Sequence, residues 1–119
     1  MIVHITDADA WQEAQRHGQY VHASLGTQGF IHCSTPTEQQ LIEVANTLFQ
    51  GQSDLVLLLV DPAQLTSELK YEEYEDSGLF FPHIYGPINT DAVSRVVPFP
   101  SQSDGTFRLP DIVVEEADN

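Results

Sequence analysis

Leu55-Val56-Leu57-Leu58-Leu59-Val60, fenced by Asp54 and Asp61, is the longest apolar run in the chain. It falls far short of the roughly 20 residues a membrane-spanning helix needs. Its length and branched side chains suit a β-strand. With no polar residue in the run, neither face of that strand can meet water, so it belongs in the interior with side chains packed on both sides.

The flanking segments read as elements that cover it. Ile2 to Thr6 alternates apolar and polar residues as a half-buried strand does. Thr6 and Asp7 suit a helix N-cap, Ala10, Trp11, Ala14 and His17 follow at helical spacing, and Gly18 stands where such a helix closes. Gly29 precedes a second strand, Phe30 to Ser34. Thr35-Pro36-Thr37-Glu38 then reads as a capping box, with Thr35 at the N-cap, Pro36 at N1 and Glu38 at N3. Leu41, Val44, Ala45 and Leu48 stripe the helix it opens, and Gly51 ends it.

Beyond the apolar run, Pro62 to Leu65 predicts a helical turn and Leu69 to Tyr74 a strand, although Glu72-Glu73 suits a strand poorly. Gly78 to Pro82 reads as a loop. His83 to Tyr85 reads as a short extended piece stopped by Gly86-Pro87, and Ala92 to Phe99 as the last strand. Strand, helix, strand, helix and then mostly strands gives an α+β fold rather than a doubly wound sheet. Residues 1–99 are expected to form one compact domain. Residues 100–119, rich in Ser, Asp, Glu and Pro, are expected to form a mobile acidic tail in which Ile112 to Val114 alone has strand character.

Charge narrows the function classes. The 119 residues include 4 Lys+Arg against 18 Asp+Glu, a net charge of −14. A phosphate-backbone binder needs clustered cations, so nucleic acid and anionic membranes are excluded as partners. The single cysteine, Cys33, leaves no disulfide framework, and the N-terminus lacks the basic and apolar regions of a signal peptide. The expected home is the cytoplasm.

Strand parity assembles a candidate site. His4 and Thr6 share one face of the first strand, His32 and Ser34 one face of the second, and His83 and Tyr85 one face of the late segment. If those strands are neighbours, the six residues line one cleft. The plainer alternative makes each histidine a separately hydrogen-bonded structural residue. Cys33 points away from adjacent His32, which makes it a small core residue rather than a nucleophile. Positions 4, 32 and 83 show no short metal-ligand spacing, so no metal site is expected. The run Glu72, Glu73, Glu75, Asp76 reads as a solvated edge that can lend one carboxylate to the cleft.

The segments His4-Ile5-Thr6, Gly29-Phe30-Ile31-His32-Cys33-Ser34 and Phe81-Pro82-His83-Ile84-Tyr85-Gly86-Pro87-Ile88 make the chain similar, over residues 1–99, to a small bacterial family known as domain of unknown function 952. That family in turn distantly resembles the ADP-ribosyltransferase fold, two small sheets packed at an angle around NAD with helices outside. The resemblance implies that His4 and Thr6 orient a ribose and that His32, Ser34 and Tyr85 shape a nicotinamide pocket. An acidic residue such as Glu72 would stabilise an oxocarbenium ion. In place of the Glu or Gln that normally begins the third motif stand His83 and Tyr85. The implied function is binding of NAD or a related nucleotide in a His-lined cleft. As an enzyme, the protein would be an ADP-ribosyl transferase or NAD hydrolase. A non-catalytic ligand-binding or protein-interaction module and a metal-dependent hydrolase are the alternatives.

Overall fold

The computed structural model describes residues 1–111, so the expectation for Ile112 to Val114 lies outside the described residues. The apolar run forms β4 (Leu55–Val60), the middle strand of an antiparallel sheet between β1 (Ile2–Asp7) and β8 (Val93–Pro98). Its two faces carry two cores. Leu57 and Leu59 pack with Val3, Ile5, Leu41, Ala45, Val97 and Phe99 on one side. Leu58 and Val60 pack with Ile2, Tyr20, Ile31, Ile84 and Ile88 on the other. A strand buried on both faces needs no polar side, which is why the run has none.

β1 runs straight into α1 (Ala8–His17), whose N-cap is Asp7: its carboxylate accepts the Ala10 N–H at 2.7 Å. Gly18, at φ +76°, ends the helix in the left-handed conformation that glycine adopts at little cost. The chain continues through β2 (Gln19–Tyr20) and the short α2 (Ser24–Thr27) to β3 (Ile31–His32). β3 is shorter than the predicted Phe30–Ser34 strand because the chain changes sheets there. The Cys33 N–H donates to Pro82 O at 3.0 Å, while Ser34 pairs with Val3 through bonds of 2.8 and 2.9 Å. This crossing joins the first sheet to a second, ordered β3-β6-β5, built from β5 (Glu68–Glu73) and β6 (Phe80–Tyr85). β7 (Ile88–Asn89) pairs with β2. All pairings are antiparallel, as an α+β fold requires.

β6 corrects the predicted loop, because the strand begins at Phe80. Pro82 is tolerated in this middle strand because it lies beyond the two residues of β3, and its carbonyl serves Cys33. The Glu72-Glu73 pair is tolerated because β5 is the edge of its sheet.

The capping residue also moves. A wide π-helical turn, Glu38–Ile42, precedes α3 (Glu43–Leu48), and its N-cap is Thr37, whose hydroxyl accepts the Gln40 N–H at 3.3 Å. Thr35 sits outside the helix and exchanges a hydroxyl bond with Thr37. The turn brings Gln40, Leu41 and Ile42 all inside. Gln40 spans the gap, its oxygen accepting the Thr35 N–H and its amide donating to Phe80 O at 3.0 Å. Thr37→Ala is expected to cost about 1 kcal/mol in chemical denaturation and Thr35→Ala distinctly less. Equal losses would return the cap to Thr35.

The compact unit does not stop at residue 99. Phe107 is buried at 3% exposure, stacks on Phe99 with ring centroids 4.7 Å apart, and its N–H donates to Asn46 Oδ1 at 2.8 Å. Gly105 O accepts the Gly51 N–H, so residues 100–109 return across the end of α3 rather than leave the fold.

Candidate functional site

The predicted residues fall into two groups set on either side of β3. On β3 and β6, Ile31 faces Ile84 across the inner side of the sheet and His32 faces His83 across the outer side. Parity therefore keeps Phe30, His32, Phe81, His83 and Tyr85 outward, together with Glu68, Lys70 and Glu72 of the neighbouring edge strand. Glu72 reaches diagonally and accepts hydrogen bonds from His83 Nδ1 at 2.9 Å and from the Tyr85 hydroxyl. Those two bonds, Tyr85's first, hold the Glu72 carboxyl below its ordinary range, and the same carboxylate pushes the Tyr85 hydroxyl up. Phe30 stacks on His83 at 4.1 Å and edges His32 at 4.8 Å, while the two imidazoles stand edge to face at 5.1 Å. His32 Nε2 donates to the Gln28 side chain. Burial, then the charges of His83 and His22, pushes His32 down.

His4 and Thr6 lie in the interior, not beside these rings. His4 is 5% exposed, and its Nδ1 donates to the backbone carbonyl of His32 at 2.6 Å. Its Nε2 meets the Tyr20 hydroxyl at 2.8 Å, and that hydroxyl lies 2.9 Å from Thr6 Oγ1. Burial drives His4 down to about 4 and Tyr20 up to about 12, so both are neutral near pH 7. A neutral ring that donates through Nδ1 can only accept at Nε2. Tyr20 therefore gives its one proton to His4, and Thr6 donates to Tyr20 in turn. The expected single cleft is thus two back-to-back constellations that share one contact, His4 to the His32 carbonyl. Ser34 is buried in the crossing that joins the sheets.

Sequence reasoning missed Tyr20, His22, Gln28 and Lys70. His22 edges His4 at 5.5 Å, its Nδ1 accepting the Ser24 N–H. Lys70 Nζ sits 4.9 Å over the Tyr85 ring. Cys33 belongs to the core, and burial pushes its thiol up, away from nucleophilic chemistry. Among the described residues no group of three or more His, Cys, Asp or Glu side chains is placed to hold a metal ion, and no helix is long and apolar enough to cross a membrane. Two recesses, of about 360 and 370 Å³, lie beside Glu13, His17 and Val21 and beside Phe99, Arg108 and Pro110. On the outer face His32 is exposed, and Phe30, Glu72, His83 and Tyr85 are half-buried.

Known structures share the architecture. The chain is 32% identical to protein CC0527 from Caulobacter crescentus, whose crystal structure matches at a TM-score of 0.83 over 95% of this chain and 97% of that one. The solution structure of the same protein matches at 0.77, with 34% identity over 93% and 94% of the two chains. No curated protein matches. The family model described as "Protein of unknown function (DUF952)" matches residues 5–96, and the chain belongs to that family.

Proposed function

We propose that this protein binds a nucleotide, NAD or a relative such as ADP-ribose, on the outer face of β3-β6-β5. The observation that carries the reading is Glu72, a half-exposed carboxylate gripped by His83 and Tyr85 beside the aromatic surface of Phe30. An aromatic surface offers a heterocycle a stacking partner, and an oriented carboxylate can accept ribose hydroxyls or stabilise an oxocarbenium ion. Two three-stranded sheets meeting at the Val3–Ser34 bridge support kinship with the ADP-ribosyltransferase frame. In that frame His32 and Tyr85 shape the heterocycle's surroundings, while Ser34, buried in the crossing between the sheets, only fixes the position of β3. His4 and Thr6 act from behind, through the His32 carbonyl. ADP-ribosyl transfer or NAD hydrolysis is the matching reaction class. The net charge of −14 favours a small ligand over a polyanion, and a reduced, cytoplasmic setting suits the lone thiol of Cys33.

Titration with NAD, ADP-ribose and nicotinamide, followed by melting and by imidazole NMR signals, tests the reading. A ligand at 100 times its Kd adds about 2.7 kcal/mol of stability. His32 is exposed, so His32→Ala is expected to leave the melt unchanged and to weaken the ligand several-fold, the worth of one hydrogen bond of about 0.5–1.5 kcal/mol. A protein that none of the three ligands stabilises would retire the nucleotide reading. It would favour an interaction module with structural histidines, a view that the fully bonded His4 already supports.

A further inference from the structure

We propose that His32 and His83 form an acid–base pair that hydrolyses a small phosphodiester, of the kind found in a nucleoside cyclic phosphate. The inference rests on the nucleotide reading above and assigns that face a substrate class and a reaction.

The two rings touch edge to face at 5.1 Å but are anchored in opposite ways. His32 donates through Nε2 to a neutral amide, Gln28, which leaves a lone pair on Nδ1. His83 donates through Nδ1 to a carboxylate, Glu72, beside which an imidazolium formed during the reaction can be balanced and can donate through Nε2. Two like groups set apart by their surroundings mark a base and an acid. Nδ1 of His32 and Nε2 of His83 take no part in those two bonds. The third part is Lys70, directly across from His83 in the strand register, with its ammonium over the Tyr85 ring and 3.8 Å from Glu68. It is one of only 4 Lys+Arg in the chain, and it stands on this face. There it can meet the oxygens of a phosphoryl group. Phe30, against both imidazoles, offers a surface to the base.

In the reaction His32 Nδ1 takes a proton from water as the water oxygen bonds to phosphorus. The ester P–O bond breaks, and the leaving ribose oxygen takes the proton from His83 Nε2. One water is consumed, one ester bond is cleaved, nothing is oxidised, and one proton passed through solvent from His32 to His83 restores the pair. A net charge of −14 restricts the substrate to a small molecule, since a polymer backbone would be repelled along its length.

The test uses the full chain with 2′,3′-cyclic AMP and phosphorus NMR. Conversion to the monophosphate is expected, with a bell-shaped pH dependence. The groups facing the two rings are Glu68, Lys70, Glu72 and Tyr85 on β5 and β6, with Gln28 and His22 on the approach to β3. His32→Ala and His83→Ala should each lower kcat by about 10²–10⁴-fold, and Lys70→Met should lower kcat/KM. Should His83→Ala fail to fold, exposed His32 still gives the answer. Wild-type hydrolysis no faster than buffer, or undiminished in His32→Ala, overturns the proposal. Binding of the cyclic nucleotide without hydrolysis refutes the reaction and leaves the nucleotide reading standing. Absence of both binding and hydrolysis overturns the proposal, and the nucleotide reading then stands or falls with the NAD, ADP-ribose and nicotinamide titrations.

Discussion

Phe107→Ala is expected to destabilise the protein by about 3–5 kcal/mol, the usual range for emptying a buried phenylalanine site. The ring is 3% exposed, stacks on Phe99, and belongs to the same core as Leu57 and Leu59 of the central strand. Its removal leaves a void that neighbours cannot fill cheaply. Phe99 is clamped by its own N–H, which donates to Leu55 O at 2.9 Å, and Leu41 and Ala45 are fixed on the helical segment. A domain of this size is stable by only about 5–15 kcal/mol, so the change consumes a large share of the total. Denaturant unfolding measures it, with Leu109→Ala as the milder companion because Leu109 is only partly buried. Removal of residues 100–119 should cost at least as much as Phe107→Ala. A truncated chain with an unchanged midpoint would show that the fold ends at residue 99 after all.

The contrast between Phe107 and Leu55–Val60 shows what a sequence makes legible. The apolar run carries its own evidence, because six adjacent residues state that both faces are covered. Asp7 and Gly18 are equally local signals and place α1 correctly. The alternation in β1 places the strand but not its burial, because Ile2 to Thr6 is buried on both faces rather than half-buried, with His4 and Thr6 inside. Phe107 is a single aromatic among polar residues. Its partners, Asn46 and Phe99, are supplied by the fold and not by any periodicity around it. Pro82 misleads for a related reason: proline argues against a middle strand until one knows that β3 stops short of it. Thr35 and Thr37 are both competent caps, and the backbone alone chooses between them. For the site, parity correctly groups His32, His83 and Tyr85, since a period of two survives any packing. Parity says nothing about which side of a strand meets the core. The chain changes sheets between His32 and Ser34, and that crossing turns His4 inward and His32 outward. Glu72 and Lys70 join the face through the register of β5 against β6, which no local pattern announces.

Acid should expose the role of His4 between about pH 6.5 and 4. In the unfolded chain this imidazole titrates at its ordinary value of 6.5, whereas burial holds it at about 4 in the fold. Above pH 6.5 both states are neutral and the group exerts no pH-dependent effect. Below it the unfolded chain takes up a proton that the fold refuses, so stability falls with pH until the folded group also titrates. At about 1.4 kcal/mol per pH unit, the loss across the window comes to about 3 kcal/mol. His32, also pushed down, adds to the fall. The protonation of carboxylates in a chain of net charge −14 relieves self-repulsion and works against it. Comparison with His4→Asn isolates the one group, because every other titration is common to both proteins. The Asn amide nitrogen lies near the place of Nδ1 and can keep the bond to the His32 carbonyl. The Tyr20 hydroxyl then loses its bond to His4 and turns to Thr6 Oγ1, 2.9 Å away, at a cost of about 0.5–1.5 kcal/mol. His4→Asn should accordingly be the less stable protein at pH 7.5 and should draw level with the wild type, or overtake it, by pH 4. Urea midpoints measured at half-unit intervals decide the matter. Parallel curves across that range would mean that His4 is charged inside the fold, and the neutral chain from Thr6 through Tyr20 and His4 to the His32 carbonyl would have to be redrawn.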